Sequence, residues 1–219
     1  MNRMASQAED QASMNAVDRS SLRTLGLYSG LVALITSIAY GIPQILSVVG
    51  VLEEPWDLLL MFAPSLVLSW SVVVLMVCIH HYASSDKKIW SHLGMVFAVV
   101  YAVMVGIVYF SQLTVVIPAM FEDETTGLET QLFEEGTVMV AVDGLGYGML
   151  SISTLFAAKV FAGGKLETRT RWAMTANGAL APVVMLAVMW PIFLAIGVFW
   201  LVTFPLSAAL ITKVFHRLR

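Results

Sequence analysis

The chain has 219 residues, of which 58% are apolar and only 12% charged, with a formal net charge of -3. Soluble domains carry about 25% charged residues, so this composition excludes an ordinary soluble fold, and nothing in it supports a nucleic-acid partner. The single cysteine, Cys78, excludes a disulfide framework and a paired-cysteine metal or redox motif.

Residues 1–23 are polar, rich in Ser, Ala and Met, and lack an apolar period. They read as a disordered cytoplasmic tail, and the apolar run that follows is too long for a signal peptide. No Asp, Glu, Lys or Arg occurs from Thr24 to Leu52, from Leu58 to Ser85, or from Ile89 to Phe121. A bilayer core of about 30 Å needs about 20 apolar residues, so each run predicts one membrane helix, over about 25–51, 58–83 and 90–120. A fourth helix is predicted over 137–161, with one internal charge, Asp143. From Trp172 to Thr212 the chain is again uncharged, and at about 1.5 Å per residue that stretch is roughly 60 Å long, twice the bilayer core. It must turn back once. Proline cannot donate to the preceding helical turn and tryptophan favours the headgroup level, which places the turn near Trp190 and Pro191 and predicts helices over 171–189 and 192–213. Residues 24–219 therefore form one all-α, polytopic domain of six transmembrane helices.

Lys and Arg are retained on the cytoplasmic side of a membrane. With the amino terminus inside, the internal segments hold Arg3, Arg19 and Arg23, then Lys87 and Lys88, then Lys159, Lys165, Arg169 and Arg171, and finally Lys213, Arg217 and Arg219, which accounts for all 12. Both termini are then cytoplasmic. Acidic residues gather outside, at Glu53, Glu54 and Asp57 and again from Glu122 to Glu135.

Polar residues within the spans fall in stripes. Ser37, Tyr40, Gln44 and Ser47 share an arc of about 80° on the first helix, and Asp143, Tyr147, Ser151 and Thr154 follow 4, 4 and 3 spacing on the fourth. The second offers Ser65 and Ser69, and the third Tyr101, Tyr109 and Gln112. Measured from the external ends, Gln44, Gln112 and Asp143 lie at similar depths, roughly 10 to 13 Å down. Such faces turn to protein rather than lipid, so they predict an externally open polar pocket around Asp143, Gln44 and Gln112, with Tyr40, Tyr109 and Tyr147 within reach and Trp200 as an aromatic wall.

Gly144, Gly146 and Gly148 lie in a hydrophobic helix with no preceding strand, so GLGYG is not a nucleotide loop; Gly144 and Gly148 instead make a face for close helix contact. His80, His81, His92 and His216 stand at cytoplasmic helix ends without metalloenzyme spacing, so neither a metal nor a cofactor is predicted. There is no GxSxG, no P-loop and no mid-membrane lysine for retinal.

The segments YFSQLTVVIPAM (Tyr109 to Met120), AVDGLGYGMLS (Ala141 to Ser151) and FWLVTFPLSAAL (Phe199 to Leu210) resemble an uncharacterised family of bacterial six-helix integral membrane proteins. That resemblance implies a multi-pass place in the bacterial inner membrane and brings no activity or ligand with it. The residues themselves lead to one expected function, binding or translocation of a small apolar or cationic molecule, with Asp143 supplying charge or a proton-linked switch. Two alternatives stand beside it: an intramembrane enzyme acting on a lipid or isoprenoid with Asp143 as general acid or base, and a structural or accessory subunit. The expected partners are the lipid bilayer and a small-molecule or lipid ligand, and a chain this small leaves room for a homodimer.

Overall fold

The structure is a computed structural model that describes the backbone of residues 2–218 and the side chains of residues 18–218 other than 191 and 194. Its elements are all helical: α1 (Asn2–Val48), α2 (Trp56–Tyr82), α3 (Lys88–Ser111), α4 (Ile117–Phe121), α5 (Val138–Ala157), α6 (Lys165–Gly178), α7 (Ala181–Ala187), α8 (Leu194–Gly197) and α9 (Trp200–His216). Among the described residues, five stretches are long and apolar enough to cross a membrane: Asp18–Val48, Trp56–Tyr82, Ser85–Phe121, Val138–Val160 and Ala195–His216.

Four of them match the first four predicted spans to within a few residues, apart from the amino-terminal end of α1. That helix runs back to Asn2, through the stretch 1–23 expected to be disordered. This stretch contains no Pro or Gly, and its Ala, Met, Gln and Glu are good helix formers. The side chains of residues 1–17 lie outside the described set.

The fifth predicted span, 171–189, is corrected by the structure. It is broken into α6 and α7, because Pro182 has no N–H to give the carbonyl of Gly178, and the chain turns through Ala179 and Leu180 before helix resumes. The sixth, predicted from 192, also begins differently. Two short helical turns, Pro191–Phe193 and Leu194–Gly197, precede the regular helix from Trp200.

Glycines set the closest helix contacts. A Cβ at Gly144 would collide with Val188 and one at Gly148 with Met185, so α7 lies against the first turns of α5. A Cβ at Gly178 would stand 2.8 Å from the Leu155 Cα and 2.9 Å from its amide nitrogen, so α6 crosses α5 backbone to backbone. Together α6 and α7 follow α5 in the opposite direction. Likewise Gly26 meets the Phe215 ring and Gly30 meets Thr212, which brings the start of α1 to the end of α9. Such contacts drive helix association in lipid, where neighbouring acyl chains are as apolar as leucine. The six rods close a ring in the order α1, α2, α3, α5, α6 with α7, and α9, and back to α1.

One end of this bundle is acidic and the other basic. At the acidic end Asp57 is buried at the start of α2, where it accepts hydrogen bonds from the Leu58 N–H at 2.6 Å and the Ser47 hydroxyl at 2.7 Å, a favourable place for a carboxylate beside a helix N-terminus. Nearby, burial holds the Glu54 carboxyl above the usual range, with further pushes from Asp57 and Glu134. The folded protein therefore binds this proton more tightly than the unfolded chain, so stability falls as pH rises through the interval between the ordinary and the raised value. Glu54→Gln is expected to raise the thermal midpoint in detergent at pH 7 and to leave it nearly unchanged near pH 4; an equal shift at both would count against the charge.

At the basic end the Tyr82 hydroxyl donates to Glu167 Oε1 at 2.6 Å, while Glu167 Oε2 accepts from the N–H groups of Ala162 and Gly163 at 3.0 and 2.7 Å. Lys87 reaches the Val160 carbonyl at 3.4 Å. These bonds tie α2, the α5–α6 turn and the start of α6 together.

Candidate functional site

The centre of the ring, toward its acidic end, is built from aromatic rings supplied by five helices. Tyr147 of α5 is the hub. Its ring stacks on Tyr40 of α1 at 6.1 Å, meets Tyr101 of α3 at 5.7 Å, and stands edge-on to Trp200 of α9 at 5.0 Å. Tyr40 also meets Trp200 edge-on at 5.9 Å, and Trp200 stacks on Phe204 at 5.0 Å. Phe62 of α2 stacks on Tyr109 of α3 at 5.0 Å, and the Tyr109 hydroxyl donates to that of Tyr147 at 3.0 Å.

Asp143 lies one turn before Tyr147 on the same face. Its side chain is half-buried, with the Tyr109 hydroxyl beside it. Tyr40 and Tyr101 pack on the Tyr147 ring and the Tyr109 hydroxyl bonds that of Tyr147, so four tyrosines from three helices gather next to this carboxyl group. The stripe read on α5 thus faces inward, and Tyr147, Ser151 and Thr154 are all buried.

Several buried polar atoms have no partner among the described residues. They are Asp143 Oδ1, the Tyr101 hydroxyl, Trp200 Nε1, Gln112 Oε1, and the hydroxyls of Ser65 and Ser151. An unmet buried polar atom costs about 1 to 3 kcal/mol, and folded proteins carry only a few. Donors (Tyr101, Trp200 and the two serines) and acceptors (Asp143 and Gln112) come from four of these five helices, α2, α3, α5 and α9, and from the turn after α3.

The other residues read from sequence go to different places. Gln44 lies beside the Tyr40 hydroxyl, one turn along α1. Ser37 bonds its own helix at the Leu34 carbonyl, and Ser47 is taken by Asp57. Gln112 is fully buried but turned toward the loop after α4: its Nε2 donates to the Gln131 carbonyl at 2.6 Å. It opens a π-helical turn, Gln112–Val116, that arises because Pro118 cannot bond the Thr114 carbonyl. Phe133 of the same loop packs edge-on against Phe62 at 4.8 Å. The segment 122–137 therefore covers the aromatic centre from the acidic side. Gln112→Leu is expected to release this cover, and digestion by a glutamate-specific protease, with Glu122, Glu124, Glu129, Glu134 and Glu135 as targets, should speed up several-fold over wild type. Unchanged cleavage would mean that the Gln131 contact does not hold the loop.

Asn177 is a buried polar residue that the sequence reading passed over. Fully enclosed at the end of α6, it donates from Nδ2 to Thr154 Oγ1 at 3.0 Å and accepts from the Thr203 hydroxyl at 3.0 Å. It bridges α5, α6 and α9 just below the aromatic centre. At about 0.6 kcal/mol for an average interhelical bond in a membrane, the pair contributes about 1 kcal/mol. At the basic end His80 stands 6.1 Å from His81 and 5.7 Å from His92 between ring centres, with Nδ1 2.9 Å from the Ser91 hydroxyl. No group of three or more His, Cys, Asp or Glu among the described residues is placed to hold a metal ion.

No protein-family model matches the chain, and neither the curated proteins nor the solved structures contain a match.

Proposed function

We propose that this is a six-pass protein of the bacterial inner membrane that binds or translocates a small apolar or cationic molecule at the aromatic centre beside Asp143. The observation that carries the reading is that three polar atoms without a partner among the described residues, the Tyr101 hydroxyl, Trp200 Nε1 and Asp143 Oδ1, belong to the ring cluster and to the carboxyl group one turn from it. Ring faces and a carboxylate together suit an organic cation, while the apolar bulk of the rings suits its hydrocarbon part. Access would come from the acidic end when the 122–137 segment lifts, and the acidic residues there draw cations toward the opening.

Six crossings are supported by α6 and α7, which accompany α5 over its length as a broken rod. The cytoplasmic side is assigned to the basic end by the retention of Lys and Arg, which places both termini inside. The likeness of three segments to six-helix bacterial membrane proteins agrees with this arrangement.

The test is saturable binding of tetraphenylphosphonium, a lipophilic cation, to the purified protein in liposomes. Saturation at about one site per chain is expected; purely linear partitioning into lipid would reject the reading. A second reading, an accessory subunit, is favoured by one feature: the rings of Tyr40, Tyr147 and Trp200 lie 5.0 to 6.1 Å apart and fill the space between them.

A further inference from the structure

A second place on the molecule collects charge of the opposite sign. Where the first and last transmembrane helices meet at the basic end, a cleft of about 660 Å³ is lined by Arg23, Lys213, His216, Arg217 and Leu218. This lies within the range of about 300 to 1,000 Å³ usual for ligand sites. Among the described residues, no Asp or Glu lines it.

The cleft follows from the way α1 and α9 pack. Gly26 and Gly30 let α1 touch Phe215 and Thr212 directly, and Arg23 stands one turn before Gly26 on the same stripe. Beyond the glycine contact, Arg23 and the last turn of α9 line the cleft together. On that turn Lys213, His216 and Arg217 occupy a continuous arc, since at about 100° per residue they differ by roughly 100° in all. The side chains of Arg23, Lys213, His216 and Arg217 are all exposed. Retention of basic residues on one side, and the attraction of cations to a helix C-terminus, account for positive charge near here. They do not account for its convergence from two helices on one cleft.

Below the cleft the surface of α9 is apolar. Val202 and Leu206 are 63% and 49% exposed, and they share an arc of about 60° with Lys213 and Arg217. A greasy track thus leads along the helix to a cationic head, which is the pattern of an anionic phospholipid standing in the adjoining leaflet. Arg forks and a Lys ammonium both suit a phosphodiester, and basic pockets between membrane helices hold such headgroups. We propose that this cleft binds the phosphate of an anionic phospholipid, with Arg23, Lys213 and Arg217 as its principal contacts and the acyl chains along Val202 and Leu206.

The experiment is native mass spectrometry and thermal unfolding of the detergent-solubilised full chain with added phosphatidylglycerol, phosphatidylcholine or inorganic phosphate. Phosphatidylglycerol is expected to bind about tenfold more tightly than phosphatidylcholine, and Arg23→Gln/Lys213→Gln/Arg217→Gln to remove that preference. A control pair, Lys165→Gln/Arg169→Gln, takes two exposed charges from the same end but outside the cleft, and should keep it. If the triple variant does not fold, Arg23→Gln alone should show part of the loss. Equal binding of the two lipids, an unchanged triple variant, or an equal loss in the control pair would overturn the proposal. Protection by inorganic phosphate as strong as that by phosphatidylglycerol would overturn the lipid as its source.

Discussion

Asp143→Asn is expected to weaken tetraphenylphosphonium binding about 30-fold, the effect of roughly 2 kcal/mol lost with one partner of a desolvated charge pair. The substitution keeps size and shape, so the rings around it need not move. It also removes a carboxylate whose Oδ1 has no partner among the described residues, and the fold should lose little or no stability. Tyr101→Phe separates the two readings of the centre. If the cluster only packs, deleting an unmet hydroxyl leaves stability equal or higher and changes nothing else; if it binds, the same variant also loses affinity for polar-headed ligands. Binding that is indifferent to Asp143→Asn would eliminate the carboxylate from any recognition role.

The second large effect is structural. Gly178→Ala should lower stability by about 3 kcal/mol, the upper part of the range for overpacking, because the new methyl would press on the Cβ, Cα and amide nitrogen of Leu155, atoms fixed by the backbone and unable to rotate away. Gly106→Ala is the matched control, since nothing lies within 4 Å of a Cβ there. Thermal unfolding in detergent reads both. A Gly178→Ala protein as stable as the Gly106→Ala one would show that α5 and α6 do not cross so closely.

The spans of α2, α3 and α5, and the membrane part of α1, were legible because charge is absent from long runs and present between them. The break between α6 and α7 was only half legible. Pro182 is visible in the sequence, but the contact of Gly178 with Leu155 joins residues far apart in the chain. Asp143 and Tyr147 were found by spacing, because a polar stripe on an apolar rod has one direction to face. Gln112 was given the wrong neighbour, since its partner is a backbone carbonyl of a loop without periodicity. Asn177 was missed because α6 carries polar residues all round, and nothing local separates the one that turns inward. Its signal was position: Asn177 and Gly178 fall within the long uncharged stretch after Trp172.

The seam between Gly26 on the first helix and Phe215 on the last bears on how the protein is made. A ribosome adding about 5 to 20 residues per second needs roughly 10 to 40 seconds to travel from one to the other. Through that interval the earliest helix waits in the bilayer with its glycine stripe uncovered. Assembly can finish only when the final segment arrives, so premature termination anywhere before α9 leaves an open ring with a sticky flank for proteolytic surveillance to find.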